Sequence, residues 1–204
     1  MLYQRGIHVP ADRDLLLDFH CLGNHESDSP RAREMSFAEY RAEWLRTEQP
    51  LGFLGALTES LNDPRTVAEL WLDDTKVIGF LWVTFLEIEG YGLTVAEVQD
   101  VEVVPDYQHR GIGTQMLAHA ETLAREHGAQ IIRSETGIEN EPSRGLHEKS
   151  GYVVYRLLYE KVIDAEGDPP DVDDLAEPGS SDWDAVEADT NSLRFPPREE
   201  FPRL

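Results

Sequence analysis

Hydrophobic and polar positions alternate with two periods along this chain, and the changes of period mark its elements. Residues 2–9 alternate loosely and stop at Pro10, which reads as a first strand. Residues 11–21 (ADRDLLLDFHC) carry a helical pattern, and the polar stretch 23–33 with Pro30 reads as a loop. Ser36 precedes FAEYRAEWLRT with Glu39 three positions on, a capping box that predicts a helix start. Residues 52–62 predict another short helix, ended by Asn62-Asp63-Pro64. Residues 67–72 and 76–88 then read as two strands joined at Asp73-Asp74, and 93–104 as a third, ended by Pro105. Met116, Leu117, Ala120, Leu123 and Ala124 form a helical stripe over 113–127, with Gly128 as its C-terminal stop. Residues 131–136 predict a short strand, 142–149 a short helix and 152–163 a final long strand. The sum is a mixed α/β (α+β) domain, antiparallel in its first half, with a strand–loop–helix–strand unit in its second.

Length and composition narrow this picture. At 204 residues the chain suits one well-buried core, and 40% hydrophobic content is ordinary for a globular protein. No apolar run approaches the roughly 20 residues of a membrane span, and the N-terminus lacks an apolar signal core, so the expected location is cytoplasmic. Cys21 is the only cysteine, which excludes an internal disulfide and a multi-thiolate zinc site. His20, Cys21 and His25 lie close in sequence without a metal-ligand pattern, and no metal is expected. Trp44, Trp71, Trp82 and Phe85 read as core rather than as a substrate cage.

The net charge of -22 argues against nucleic-acid partners; it suits a cationic acceptor, but solubility or salt adaptation accounts for it more simply. From residue 164 onward thirteen acidic side chains face only three arginines. The chain therefore divides into a domain over 1–163 and an acidic, proline-containing extension over 164–204. Trp183, Val186, Leu193, Phe195 and Phe201 give that extension apolar anchors, so it is expected to dock on the body or on a second subunit, making a homodimer.

The candidate chemistry sits in QHRGIGTQ, residues 108–115. Glycines permit close backbone approach, and the following helix N-terminus supplies unpaired N–H groups and a positive dipole end. Together they suit a phosphate. A P-loop needs Gly-Lys-Ser/Thr, which does not occur, and a dinucleotide fingerprint needs a third glycine where Met116 stands. The remaining form is Gln/Arg-x-x-Gly-x-Gly/Ala entered from Val-x-Pro, here Val103-Val104-Pro105 followed by Gln108 to Gly113.

With the later run Asn140-Glu-Pro-Ser143-Arg-Gly-Leu146-His147-Glu-Lys-Ser-Gly151-Tyr152, this set resembles the GNAT superfamily of acetyl-CoA-dependent N-acetyltransferases. The resemblance is strongest over residues 95–163, and the extension has no counterpart in the family pattern. It implies a largely antiparallel central sheet flanked by helices and splayed at the acetyl-CoA site. By that resemblance, main-chain groups around Val101 and Val103 hold the pantetheine arm, and Gln108, His109, Arg110, Gly111, Ile112, Gly113 and Thr114 wrap the pyrophosphate. Asn140 and Ser143 contact the pantetheine or nearby phosphates.

The implied reaction is direct attack of a primary amine on the thioester in a ternary complex, with a small amine or basic peptide as acceptor. Glu97 matches the family's catalytic glutamate, eleven residues before the loop's Gln108, and is the expected base. Strand alternation sets it on the opposite face from Asp100 and Glu102, barring a bulge. His147 stands where many members carry a tyrosine acid. That departure keeps an alternative open: an acyl-CoA-binding sensor or partner module of the same fold with weak or no turnover.

Overall fold

The computed structural model describes residues 1–27, 32 and 34–158. The chain divides into two compact units, residues 1–154 and 155–204. The first holds every element below. The docking expected of residues 164–204 falls outside the described residues.

Among the described residues five strands form one open sheet in the order β1 (Leu2–Gly6), β2 (Thr66–Asp73), β3 (Lys76–Ile88), β4 (Leu93–Val103), β5 (Ile131–Ser134). The first four pair antiparallel, and β5 runs parallel to β4. Helix α1 (Val9–Ser27) follows β1; α2 (Phe37–Trp44) and α3 (Gln49–Ser60) follow in turn. Helix α4 (Ile112–Glu126) connects β4 to β5, and α5 (Glu141–Lys149) comes last.

Local chemistry accounts for the boundaries. The start of α1 is fixed by Asp12, which accepts the His8 N–H at 2.8 Å and two guanidinium donors of Arg5 in β1 at 2.7 and 2.8 Å. The capping box of α2 forms as expected: Ser36 Oγ accepts the Glu39 N–H and the Glu39 carboxylate accepts the Ser36 N–H. Gly128, at φ 70°, stands just beyond α4. The stripe read from α4 is buried throughout, from Met116 to Ala124, and Ile112 extends it.

The sheet separates two cores. On one face α1, α2 and α3 bring Leu16, Phe19, Trp44 and Leu57 against Leu70, Phe80 and Trp82. On the other α4 covers Leu81, Val83, Phe85, Ala96 and Val98. Trp44, Trp71, Trp82 and Phe85 are all buried in these cores.

Three expectations change. Residues 23–27, read as loop, complete α1, because one polar face of the helix looks onto a cavity rather than into the core. Val9 joins that helix instead of β1, with Pro10 in the first turn, where its missing N–H costs no bond. Residues 152–158 carry no strand, and the rest of the predicted last strand lies outside the described residues.

Candidate functional site

The site begins at a defect in β4. Val98 pairs with Val83 and Asp100 with Trp82, so Gln99 is an extra residue with no register partner on β3, a β-bulge, its side-chain amide donating to Thr84 Oγ1 at 3.0 Å. The bulge resets the alternation. Ala96 and Val98 before it, and Val101 and Val103 after it, all face the α4 core. Glu97, Asp100 and Glu102 therefore share the α1 face, opposite Thr84, Trp82 and Phe80 respectively. The opposite-face expectation for Glu97 fails for this reason.

The same strand loses a neighbour here. β5 pairs only with Val95 to Val98, whereas β4 continues to Val103. The Val103 carbonyl turns toward the open side and accepts the Gln108 side-chain amide at 3.1 Å. By the two-residue repeat, the N–H and C=O of Val101 open to that side as well. Among the described residues this leaves a strand edge free to take an extended ligand.

The glycine loop closes the end of that edge. Two left-handed residues, His109 at φ 57° and Gly111 at φ 77°, turn the chain into α4. Gly111 occupies the N-cap with no side-chain cap bond, so the first helical N–H groups stay open to a ligand. Ile112 is buried, which limits it to its backbone. Arg110 and Lys76 flank the Tyr107 ring, each 4.8 Å from its centre. Gln108, His109, Gly111, Gly113 and Thr114 line one cavity of about 750 Å³ with Val101, Val103, Asn140, Ser143 and His147. Arg110, Ile112 and Glu97 are not among its lining residues.

Helix α5 supplies the last wall. Asn140 caps it, accepting the Ser143 N–H at 3.1 Å, and its amide reaches Ser27 Oγ at 3.3 Å. Its side chain thus joins the ends of α1 and α5 in addition to facing the cavity. His147 Nδ1 lies 2.7 Å from the Ser143 carbonyl, which assigns the proton to Nδ1. Its Nε2 is buried without a described partner, and the ring meets Tyr152 edge-on at 5.2 Å.

The facing wall is α1, whose His20 sequence reasoning did not place in the site. His20, Gly23, Asn24 and Ser27 recur at helical spacing and face β4 across the cavity. His20 Nδ1 approaches both oxygens of the buried Asp100 carboxylate at 3.2 and 3.3 Å. The His20 ring lies flat on Phe53, 4.0 Å between centres. Gly23 is the seat of Glu102: a side chain there would collide with the Glu102 carboxylate. Burial, then the charges of Asp100 and Glu26, push the Glu102 carboxyl well above its ordinary range. Glu26, half-buried on α1, is raised by its own burial. Of the other residues singled out beside His20, Cys21 is buried and His25 Nε2 bonds the Met35 carbonyl at 3.0 Å. The 20–23–24–27 spacing was the available signal; Gly23 and the polarity of the stretch disguised it as a loop.

An open β4 edge thus ends in a left-handed glycine loop at a helix N-terminus, whose unpaired backbone donors suit an extended ligand carrying phosphate. Residues 29–152 match the Acetyltransferase (GNAT) family, and the chain belongs to that family. It is 25% identical over 111 residues to an aminoalkylphosphonate N-acetyltransferase of Salmonella typhimurium, spanning 54% of this chain and 72% of that one. It is 26% identical over 118 residues to the uncharacterized N-acetyltransferase YhfO of Bacillus subtilis, spanning 57% and 78%. Among solved structures, a predicted acetyltransferase from Clostridium acetobutylicum, determined with acetyl-CoA, superposes with TM-score 0.58 at 15% identity, covering 78% of this chain and 95% of that one. A putative acetyl transferase from Pyrococcus furiosus gives 0.57 at 22%, covering 80% and 99%. These likenesses concern the fold. No described helix is long and apolar enough to cross a membrane.

Proposed function

We propose that the chain moves the acetyl group of acetyl-CoA to a primary amine by direct attack within a ternary complex. The observation that carries this reading is the unpaired β4 edge beyond Val98, running into the left-handed loop at Gly111. Val101 and Val103 would bond the pantetheine amides as an added strand does, and the backbone from His109 to Thr114 would take the pyrophosphate. Asn140 and Ser143 lie on the opposite wall of the same cavity.

The amine must lose a proton before its nitrogen attacks the thioester carbonyl. Glu97, the expected base, shares the correct face but stands before the bulge and outside the cavity lining. We assign the proton instead to His20. Asp100 holds the Nδ1–H of its ring, which leaves Nε2 as an acceptor. The tetrahedral oxyanion is stabilised by backbone N–H groups of the bulged strand. Collapse breaks the C–S bond and releases the CoA thiolate. His147, with Nδ1 on a carbonyl, can donate from Nε2 only when doubly protonated, so solvent supplies that proton when the ring is neutral. That same constraint favours a second reading, an acyl-CoA-binding module with little turnover.

Thiol release from acetyl-CoA across a panel of amines separates the two. Release with intersecting double-reciprocal lines supports the ternary complex; parallel lines would indicate an acyl-enzyme. Acetyl-CoA binding without release under any amine would favour the second reading.

A further inference from the structure

We infer that the acceptor carries a second positive charge, which Glu102 receives at the α1–β4 wall while the reacting nitrogen lies at His20. This inference rests on the acetyl-transfer reading above and deepens it. Its basis is an arrangement that has no internal purpose. Glu102 is half-buried and lines the cavity, and among the described residues no group donates a hydrogen bond to it. A carboxylate so placed is costly unless a cation completes it. Among the described residues no arginine or lysine pairs with it. Instead the chain brings Glu26 and Asp100 close by, and their charges repel its own. Asp100 is satisfied by His20, and Glu26 takes a bond from Asn140. Glu102 alone is left waiting.

Its seat is built from the helix side as well. α1 has glycine at position 23, where any side chain would displace the carboxylate. The neighbouring turn supplies His20, so two different recognition groups hang over one strand face. Asp100 and Glu102 are two residues apart on β4, about 7 Å along the strand. A short aliphatic diamine, or an alkyl amine ending in guanidinium, spans such a distance. An acceptor ending in phosphonate or carboxylate would meet Glu102, Glu26 and Asp100 with its own charge. The residues therefore select against anionic acceptors, and the Salmonella relative's printed acceptor class does not carry over to this chain.

The test is calorimetry at pH 8 on the full chain. Acetyl-CoA is titrated first, to establish binding, and the CoA-saturated protein is then titrated with 1,4-diaminobutane, n-butylamine and 2-aminoethylphosphonate. The expected result is 1,4-diaminobutane binding at least tenfold tighter than n-butylamine, with no heat from the phosphonate. Glu102→Gln should erase the diamine preference and leave CoA affinity unchanged. Gly23→Ala, which pushes the carboxylate aside without removing it, should weaken diamine binding in the same sense. A wild type that does not prefer the diamine, including one that binds neither alkyl amine, overturns the inference. So does a Glu102→Gln protein that keeps the preference. Absence of acetyl-CoA binding would instead sink the acetyl-transfer reading itself.

Discussion

Replacing Gly111 by alanine isolates the backbone contribution of the glycine loop. Gly111 sits at φ 77° and ψ 7°, and a Cβ there would meet no heavy atom within 4 Å. No clash opposes the substitution, so the penalty is conformational. An L-residue held left-handed costs about 1–2 kcal/mol, set against a loss of unfolded-state entropy worth about 0.4–1 kcal/mol. The net is roughly 1 kcal/mol, which for a chain of this size lowers Tm by about 2–4 °C. Asparagine tolerates this region better and should lose clearly less than alanine. Gly113 makes the control. Its φ is not positive, and a Cβ there would stand 3.0 Å from a Leu146 methyl, a flexible neighbour on α5. Gly113→Ala should therefore be rescued by trimming Leu146, whereas Gly111→Ala should not. Circular dichroism melts give the stabilities, and acetyl-CoA titrations on the same proteins give the affinities, with at least a tenfold loss expected for Gly111→Ala. Equal melting of wild type, Gly111→Ala and Gly111→Asn would refute the left-handed loop. A stability loss with unchanged acetyl-CoA affinity would refute its role at the pyrophosphate.

Other consequences can be checked alongside. His20→Gln should lower kcat at neutral pH by at least tenfold with acetyl-CoA affinity intact, while Glu97→Gln changes kcat little; the reverse ranking in steady-state assays would return the base to Glu97. Because Glu102 is raised, ionising it costs folding free energy as pH climbs above the ordinary carboxylate range. Glu102→Gln should thus melt progressively higher than wild type from pH 5 toward pH 8, as read by pH-dependent thermal scans. Asp12 behaves oppositely: Arg5 holds its carboxyl below the usual value, so it stabilises at neutral pH and that gain fades as pH falls below about 4. Asp12→Asn should flatten the acid limb of the stability curve in urea titrations. Met116→Ala, at a fully buried position, should cost about 2–5 kcal/mol in the same measurement.

Much of the fold was legible because its elements follow simple periods. The long strands β3 and β4, the stripe on α4 and the capping box at Ser36 all express local rules, and tertiary contacts reinforce them. The glycine loop was legible for a related reason: the positive φ at Gly111 is a demand that the residue type answers directly. The carboxylate face of β4 was harder. A single extra residue, Gln99, inverts the pleat, and its only local trace in VAEVQDVEV is the adjacent polar pair Gln99-Asp100 that breaks the alternation. Every carboxylate assignment downstream of position 99 depended on that one residue. The α1 wall was hidden differently. Its exposed face lines a polar cavity, so it lacks the apolar stripe that marks a helix packed on a core. Asn140 was read as a ligand contact, and the structure shows that its side chain also caps α5 and reaches α1, a tie between segments that only the assembled fold brings together.

If the loop ending β4 binds the pyrophosphate of acetyl-CoA, a negative charge placed in the loop abolishes binding. Isothermal titration of acetyl-CoA into the wild-type chain and into Gly111→Glu compares the site with and without a carboxylate aimed at the phosphates. One-to-one binding is expected for the wild type and none for a variant that still melts cooperatively. Equal affinity in both proteins would contradict it.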